Sequence, residues 1–326
     1  MLHSSVVRNR DTRLFVAAAT IGFLAASPLD LTGQGAARSR HDRAHDLNGV
    51  WSFATLTPLE RPSDAKGPFF ADDEAAAYER RVIERGDRDR RDGGAQADVD
   101  RAVNDYWFER GTHVATVNGR KPSSQVTDPP DGRLPPTTPV AQARAAARAA
   151  EARAHPADGP ENRSLQERCL SFNAGPPIQP GPYNNYVQIF EFPGYVVVFT
   201  EMIHDARIVP LDGRPHAPPE VREWLGDSRG WWEGDTLVVD TTNFTDASRT
   251  TDKNLHLVER FTRTGAATLL YEFTVDDPTM FTRPWTATLP MTRTPARLFE
   301  YACHEGNYAL PDILRGARAQ EREAKP

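Results

Sequence analysis

A histidine beside a carboxylate is one of the few local arrangements that point to proton transfer, and Cys303-His304-Glu305-Gly306-Asn307-Tyr308 contains one. Imidazole titrates near neutral pH, and a strand end followed by glycine would expose it, so His304 with Glu305 is a candidate acid–base pair. His204-Asp205 has the same form, and the two histidines would share a site if their strand ends met. Glu201 and Glu259 interrupt otherwise apolar alternating rows. A carboxylate turned inward needs hydrogen bonds or a cation, or its pKa rises; Arg207, Arg260 and Arg283 are the candidate cations. The competing use of these groups is structural, as salt bridges, a solvated face and a capped strand end at His304.

Ligand contact is expected around WLGDSRGWWEGDTLVVDTTNF, residues 224–244. Gly226-Asp227 and Gly234-Asp235 read as tight turns, so Trp231-Trp232 and Thr236–Val239 read as the arms of a β-hairpin. Trp224, Trp231, Trp232 and Trp285 are candidates for stacking on flat ligands, with Asp240, Asn243, Arg207 and Arg260 as polar contacts; core packing is the commoner fate of tryptophan. Other chemistries find less to start from. His204, His216, His304 and Glu305 would have to converge to hold a metal, and no HExxH or HxH spacing is present. There is no GxSxG elbow for a serine triad. Glu201 and Glu259 would serve glycoside chemistry only at a suitable separation. No metal and no cofactor is expected.

These residues need elements to hold them. Strands are expected over 186–192, 195–203, 206–210, 236–242, 256–262, 268–275, 285–291 and 298–303, rich in β-branched and aromatic residues and separated by Gly, Pro and Asp turns. With a short strand after Trp51 they number about nine. The fold class is therefore mainly β, an antiparallel meander closing into a barrel or forming a two-layer sandwich. Between Trp51 and Arg168 lies an irregular insertion, with helices from Asp72 to Glu84 and from Val140 to Ala154, a charged loop over 85–100, and a Pro- and Gly-rich loop over 117–139. A last short helix covers 311–318. The expected division is 1–37 signal peptide and leader, 38–167 first strand plus insertion, and 168–326 antiparallel β domain with its closing helix.

Arg8, Arg10 and Arg13 precede an apolar run over 14–26 and then small and polar residues, the pattern of a secretory signal peptide. Periplasmic or extracellular location is expected, with no transmembrane segment after its removal. In an oxidising compartment Cys169 and Cys303, the only two cysteines, would form one long-range disulfide, the alternative being two buried thiols. A net charge of −6 supplies no basic footprint for nucleic acid.

Gly49-Val50-Trp51, the successive antiparallel strands and the closing helix resemble the calycin, or lipocalin-like, architecture. LGDSRG, WEGDTLVVDTTNF, LVERF, the DDP…FTRPW stretch and EYACHEGNY also resemble a family of exported bacterial proteins with no assigned activity, over residues 186–318. The likeness implies a shared fold and carries no reaction. The expected function is binding of a small molecule in a barrel pocket near the tryptophan hairpin. The alternatives are a secreted lyase, isomerase or hydrolase using His304 or His204 with Glu201, Glu259 or Glu305, and a non-catalytic interaction module of the cell envelope.

Overall fold

The computed structural model describes residues 46–101, 104–172, 175–245 and 253–324; the expected signal peptide lies outside them. Twelve strands are present among these residues: β1 (Gly49–Ser52), β2 (Phe69–Phe70), β3 (Lys121–Pro122), β4 (Val126–Asp128), β5 (Tyr186–Phe192), β6 (Tyr195–Thr200), β7 (Ala206–Pro210), β8 (Asp227–Glu233), β9 (Thr236–Thr242), β10 (His256–Arg263), β11 (Thr268–Asp276) and β12 (Trp285–Thr294). Four α-helices accompany them, α1 (Asp72–Gly86), α2 (Gly94–Arg101), α3 (Pro139–Ala154) and α4 (Ala309–Glu323).

The fold is mainly β. Ten strands form one antiparallel sheet in the order β7-β6-β5-β1-β12-β11-β10-β9-β8, with β4 added to β12, while β2 and β3 pair separately. Alternation sets the two faces. In β10 and β11 every second residue is buried, as the period of a half-buried strand requires. Leu257, Glu259 and Phe261 face inward with Tyr271 and Phe273, and His256, Val258 and Arg260 face outward. The interior is filled by Trp51, Phe53, Phe261, Tyr271, Phe273 and Trp285, all buried. The indole of Trp51 donates to the Leu47 carbonyl at 2.8 Å.

No backbone ladder joins β7 to β8, so the sheet keeps two edges where a closed barrel would have none. The edges nevertheless touch through side chains. Gly230 on β8 allows this: a Cβ there would stand 2.7 Å from Val209 Cγ1 and 2.8 Å from Leu211 Cδ2, so a larger residue would force those side chains to move. The β8–β9 hairpin forms as expected, with Glu233 opposite Thr236 and a two-residue turn at Gly234-Asp235. Gly234 has φ +59°, the left-handed value such turns need.

Four expectations need correction. Residues 298–303 are not a strand: the Phe299 amide donates to the Glu201 side chain instead of a ladder, and β12, the strand preceding them, is already flanked by β1 and β11. β6 ends at Thr200 rather than Ile203, because Ile203 (φ 62°) and His204 (φ 48°) turn left-handed and break the alternation. The charged loop contains α2. The Pro- and Gly-rich loop over 117–139 contains β3 and β4, and β4 pairs with β12.

Cys169 and Cys303 are bonded, 134 residues apart in sequence. Among the described residues no helix is long and apolar enough to cross a membrane.

Candidate functional site

The residues singled out for chemistry do not meet in one cleft. His304 and Glu305 are exposed, and neither side chain bonds to any described residue. His204 bonds through Nδ1 to the Tyr301 carbonyl at 3.0 Å and forms no hydrogen bond with His304. Glu201 is only 3 % exposed and accepts the Phe299 N–H at 2.8 Å. Burial pushes its carboxyl above the usual range, and the Phe299 hydrogen bond only partly opposes this. Its work is to hold the segment after β12 against the sheet, not to face a ligand.

Glu259 has a different neighbourhood. It is fully buried and takes both terminal nitrogens of Arg207, one of them at 2.9 Å to Oε1, in a bidentate pair. The Tyr271 hydroxyl donates to the same Oε1 at 2.7 Å and accepts from the Ile178 amide at 3.0 Å. Desolvation lifts the Tyr271 phenol well above its ordinary value, and the Glu259 charge adds to this. Beside Arg207, a cavity of about 10 Å³ is lined by Thr200 and Asp205 among others, room for about one water. Arg207 and Glu259 are thus a satisfied core network rather than ligand contacts.

The aromatic candidates divide in the same way. Trp285 is 5 % exposed and packs edge-on against Phe273 and Phe281, so it is core. Trp232 is half-buried against the same cluster. Trp224 and Trp231 remain 42 % exposed, with the Trp231 indole donating to Glu233 at 2.9 Å. Arg260 bonds the other Glu233 oxygen at 2.8 Å on the outer face. Arg283 pairs with Asp128 at 2.7 Å.

A chain of acids and imidazoles does assemble, on the outer face of β8, β9 and β10. Asp227, Asp240 and His256 stand on three adjacent strands. His216 enters from the loop between β7 and β8. Its Nδ1 lies 3.0 Å from Asp227 Oδ2 and its Nε2 lies 2.8 Å from Asp240 Oδ1. Carboxylate oxygens accept, so this imidazole donates from both nitrogens when both acids are ionised. The second oxygen of Asp240 is 2.5 Å from His256 Nε2. Asp240 is therefore gripped between two imidazoles.

The loop is fixed by what surrounds it. Asp227 accepts the Ala217 amide at 2.8 Å and the Arg229 guanidinium at 2.5 Å, while Arg229 also holds the Pro215 carbonyl at 3.0 Å. Asn243, left-handed at φ 59°, donates to the Ala217 carbonyl at 2.9 Å. Burial raises the Asp240 carboxyl, but the hydrogen bonds from His256 and His216 outweigh it and leave the group below the usual carboxylate value. Burial likewise raises Asp227, and the Ala217 amide, His216 and Arg229 bring it below its ordinary value. His256 moves the other way: its bond to Asp240 raises it above 6.5 against the opposing effect of burial.

His256 is the outermost imidazole of this chain. Its Nε2 is committed to Asp240, and its Nδ1 bonds to no described residue. An imidazole oriented by a carboxylate, with its second nitrogen free, is the geometry of a general base awaiting a substrate proton. The sequence marks Asp240 and Asn243 as polar contacts in this region, but no local motif gives His256 a chemical role and His216 stands out only as a metal ligand. One available signal was register. Asp240 faces outward opposite Val258, which puts His256 diagonally beside it on the same face. Among the described residues, no group of three or more His, Cys, Asp or Glu side chains converges as a metal ion would require.

No protein-family model, curated protein or solved structure matches the chain.

Proposed function

We propose that this chain is an exported enzyme that binds a small polar molecule beside the tryptophan hairpin and moves a proton on it with His256. The observation that carries the reading is the Asp240–His256 pair at 2.5 Å, whose imidazole Nδ1 bonds to no described residue. His256 takes or returns the proton. Asp240 fixes its orientation and stabilises the imidazolium that forms, and His216, set by Asp227, fixes Asp240. The half-exposed rings of Trp224 and Trp231 offer flat apolar surface to a ligand seated near this face. Such a base serves the proton-abstraction step of lyase or isomerase chemistry.

Two wider readings accompany this one. A lipocalin-like barrel is supported by the meander order and by the approach of β7 to β8 at Gly230. Export is supported by the basic and apolar pattern of the N-terminus and by the Cys169–Cys303 bond.

The test is deuterium incorporation from solvent into a panel of small hydroxy acids, keto acids, lactones and sugars, followed by NMR with wild-type protein, His256→Gln and Asp240→Asn. The expected result is exchange into at least one compound, reduced about 10²–10⁴-fold by His256→Gln, the range for loss of a general base. Exchange that survives His256→Gln would remove the reading.

A further inference from the structure

On other strands of the sheet, a second site is lined by hydroxyl groups and small apolar residues. Ser52 on β1 lies opposite Thr292 on β12, and Thr292 lies opposite Thr268 on β11. The three side chains form one row across three adjacent strands, spaced by the inter-strand distance of about 4.8 Å. Facing this row is the segment 111–116, which brings Thr112, His113 and Thr116 to the other side of a groove of about 480 Å³. The wall is anchored independently of any ligand. The His113 carbonyl accepts from the Leu56 amide at 2.9 Å, the Ala115 amide donates to Thr57 Oγ1 at 2.8 Å, and the Val114 amide donates to Glu79 at 2.8 Å. Gly111 lets the wall come this close: at φ +80°, a Cβ there would sit 3.0 Å from the backbone of Ala54 and Thr55.

The hydroxyls of Ser52, Thr112, Thr116, Thr268 and Thr292 bond to no described residue. Each offers a donor and an acceptor. No Lys, Arg, Asp or Glu lines the groove, so it has no countercharge for an anion or a cation. The only titratable group on it is His113, whose Nδ1 is directed at Glu79, 3.2 Å away. Pro290 on the floor adds apolar surface between the hydroxyls. A ligand that suits such a groove is neutral, carries hydroxyls along its length, and presents C–H faces between them.

We infer that this groove binds a neutral carbohydrate chain, independently of the acid–base site. Sugar hydroxyls supply complementary donors and acceptors at each position of the Ser52–Thr292–Thr268 row, and the preformed wall limits the ordering cost of binding.

The test is calorimetric titration of the full chain with neutral hexasaccharides (maltohexaose, cellohexaose and xylohexaose), with a hexauronate as the charged control. Thr292→Val and Thr268→Val remove hydroxyls while keeping β-branched shape, and Thr292→Arg fills the floor. Binding of at least one neutral hexasaccharide is expected, weakened five- to tenfold by either valine variant and abolished by Thr292→Arg. His256→Gln should bind as wild type does, which separates this site from the acid–base site. Unfolding midpoints of the valine variants should stay at the wild-type value. The inference is overturned if no neutral hexasaccharide binds, if the hexauronate binds more tightly, or if binding survives both Thr292→Val and Thr292→Arg.

Discussion

Arg207 and Glu259 meet in a bidentate ion pair inside the sheet, although β6, β5, β1, β12 and β11 all lie between their strands in the sheet order. Only a strongly curled sheet brings β7 and β10 face to face in this way. The pair therefore spans the interior of an open-edged sheet, and Gly230 brings the edges together alongside it. Tyr271 adds a third hydrogen bond to the carboxylate, and Ile178 ties in the preceding loop.

Breaking this pair from one side should cost far more than replacing it whole. Glu259→Gln or Arg207→Met leaves a buried charge without its counterion, a loss of about 3–5 kcal/mol. Arg207→Met combined with Glu259→Leu should recover most of that, because burying a pair of charges carries its own desolvation cost. Tyr271→Phe removes a hydroxyl serving two partners and should cost about 1–3 kcal/mol. Urea unfolding of the four variants checks the order. A double variant as damaged as the singles would show that the ion pair is needed for the fold itself.

The relay makes a prediction that needs no substrate. With its folded pKa raised above 6.5, His256 lends stability that is complete below the unfolded value of about 6.5 and lost as pH rises through the folded value. Asp240, lowered in the folded state, lends stability that is complete above about 3.9 and lost as pH falls through its folded value. Both contributions are full between those limits. In NMR titration the His256 midpoint should lie above 6.5 in wild type and fall in Asp240→Asn. A midpoint that ignores Asp240→Asn would mean the two side chains do not pair in solution.

Much of the sheet was legible in its composition: the ranges 186–192, 206–210 and 236–242 form as the β-branched and aromatic pattern predicts. Alternation also misled at 298–303, where a strand-like run has its Phe299 amide taken by Glu201. The site was harder to see for a different reason. His216, Asp227, Asp240 and His256 form no local motif, and three adjacent strands plus a loop must be in register before they touch. His304-Glu305 stood out because its two groups are sequence neighbours, yet adjacent side chains in an exposed turn need share no partner. Spatial adjacency set by register, unlike adjacency along the chain, is invisible to motif reading.

The Cys169–Cys303 bond closes a loop with a sequence separation of 134. Chain entropy alone assigns such a loop about 5 kcal/mol. Cys303→Ser, or reduction of the wild type, should lower the denaturation midpoint accordingly. His304→Ala, next to the disulfide but exposed and without a side-chain partner among the described residues, should shift stability by less than about 0.5 kcal/mol. A comparable loss in both variants would place the stabilising contact in the turn rather than in the bond.

Glu201 should respond to pH in the opposite sense to Asp240. Burial raises its folded pKa above the unfolded one, so folding favours the protonated acid. Its contribution is most favourable below the unfolded value of about 4.3 and declines as pH rises through the folded value. Glutamine is neutral at every pH and keeps an oxygen to accept the Phe299 amide. Glu201→Gln should therefore be close to wild type at pH 4 and more stable than wild type at pH 8, measured as the difference in thermal midpoint. A variant less stable at pH 8 would mean that the ionised carboxylate, through its bond to the Phe299 amide, holds the segment after β12 better than a neutral amide does.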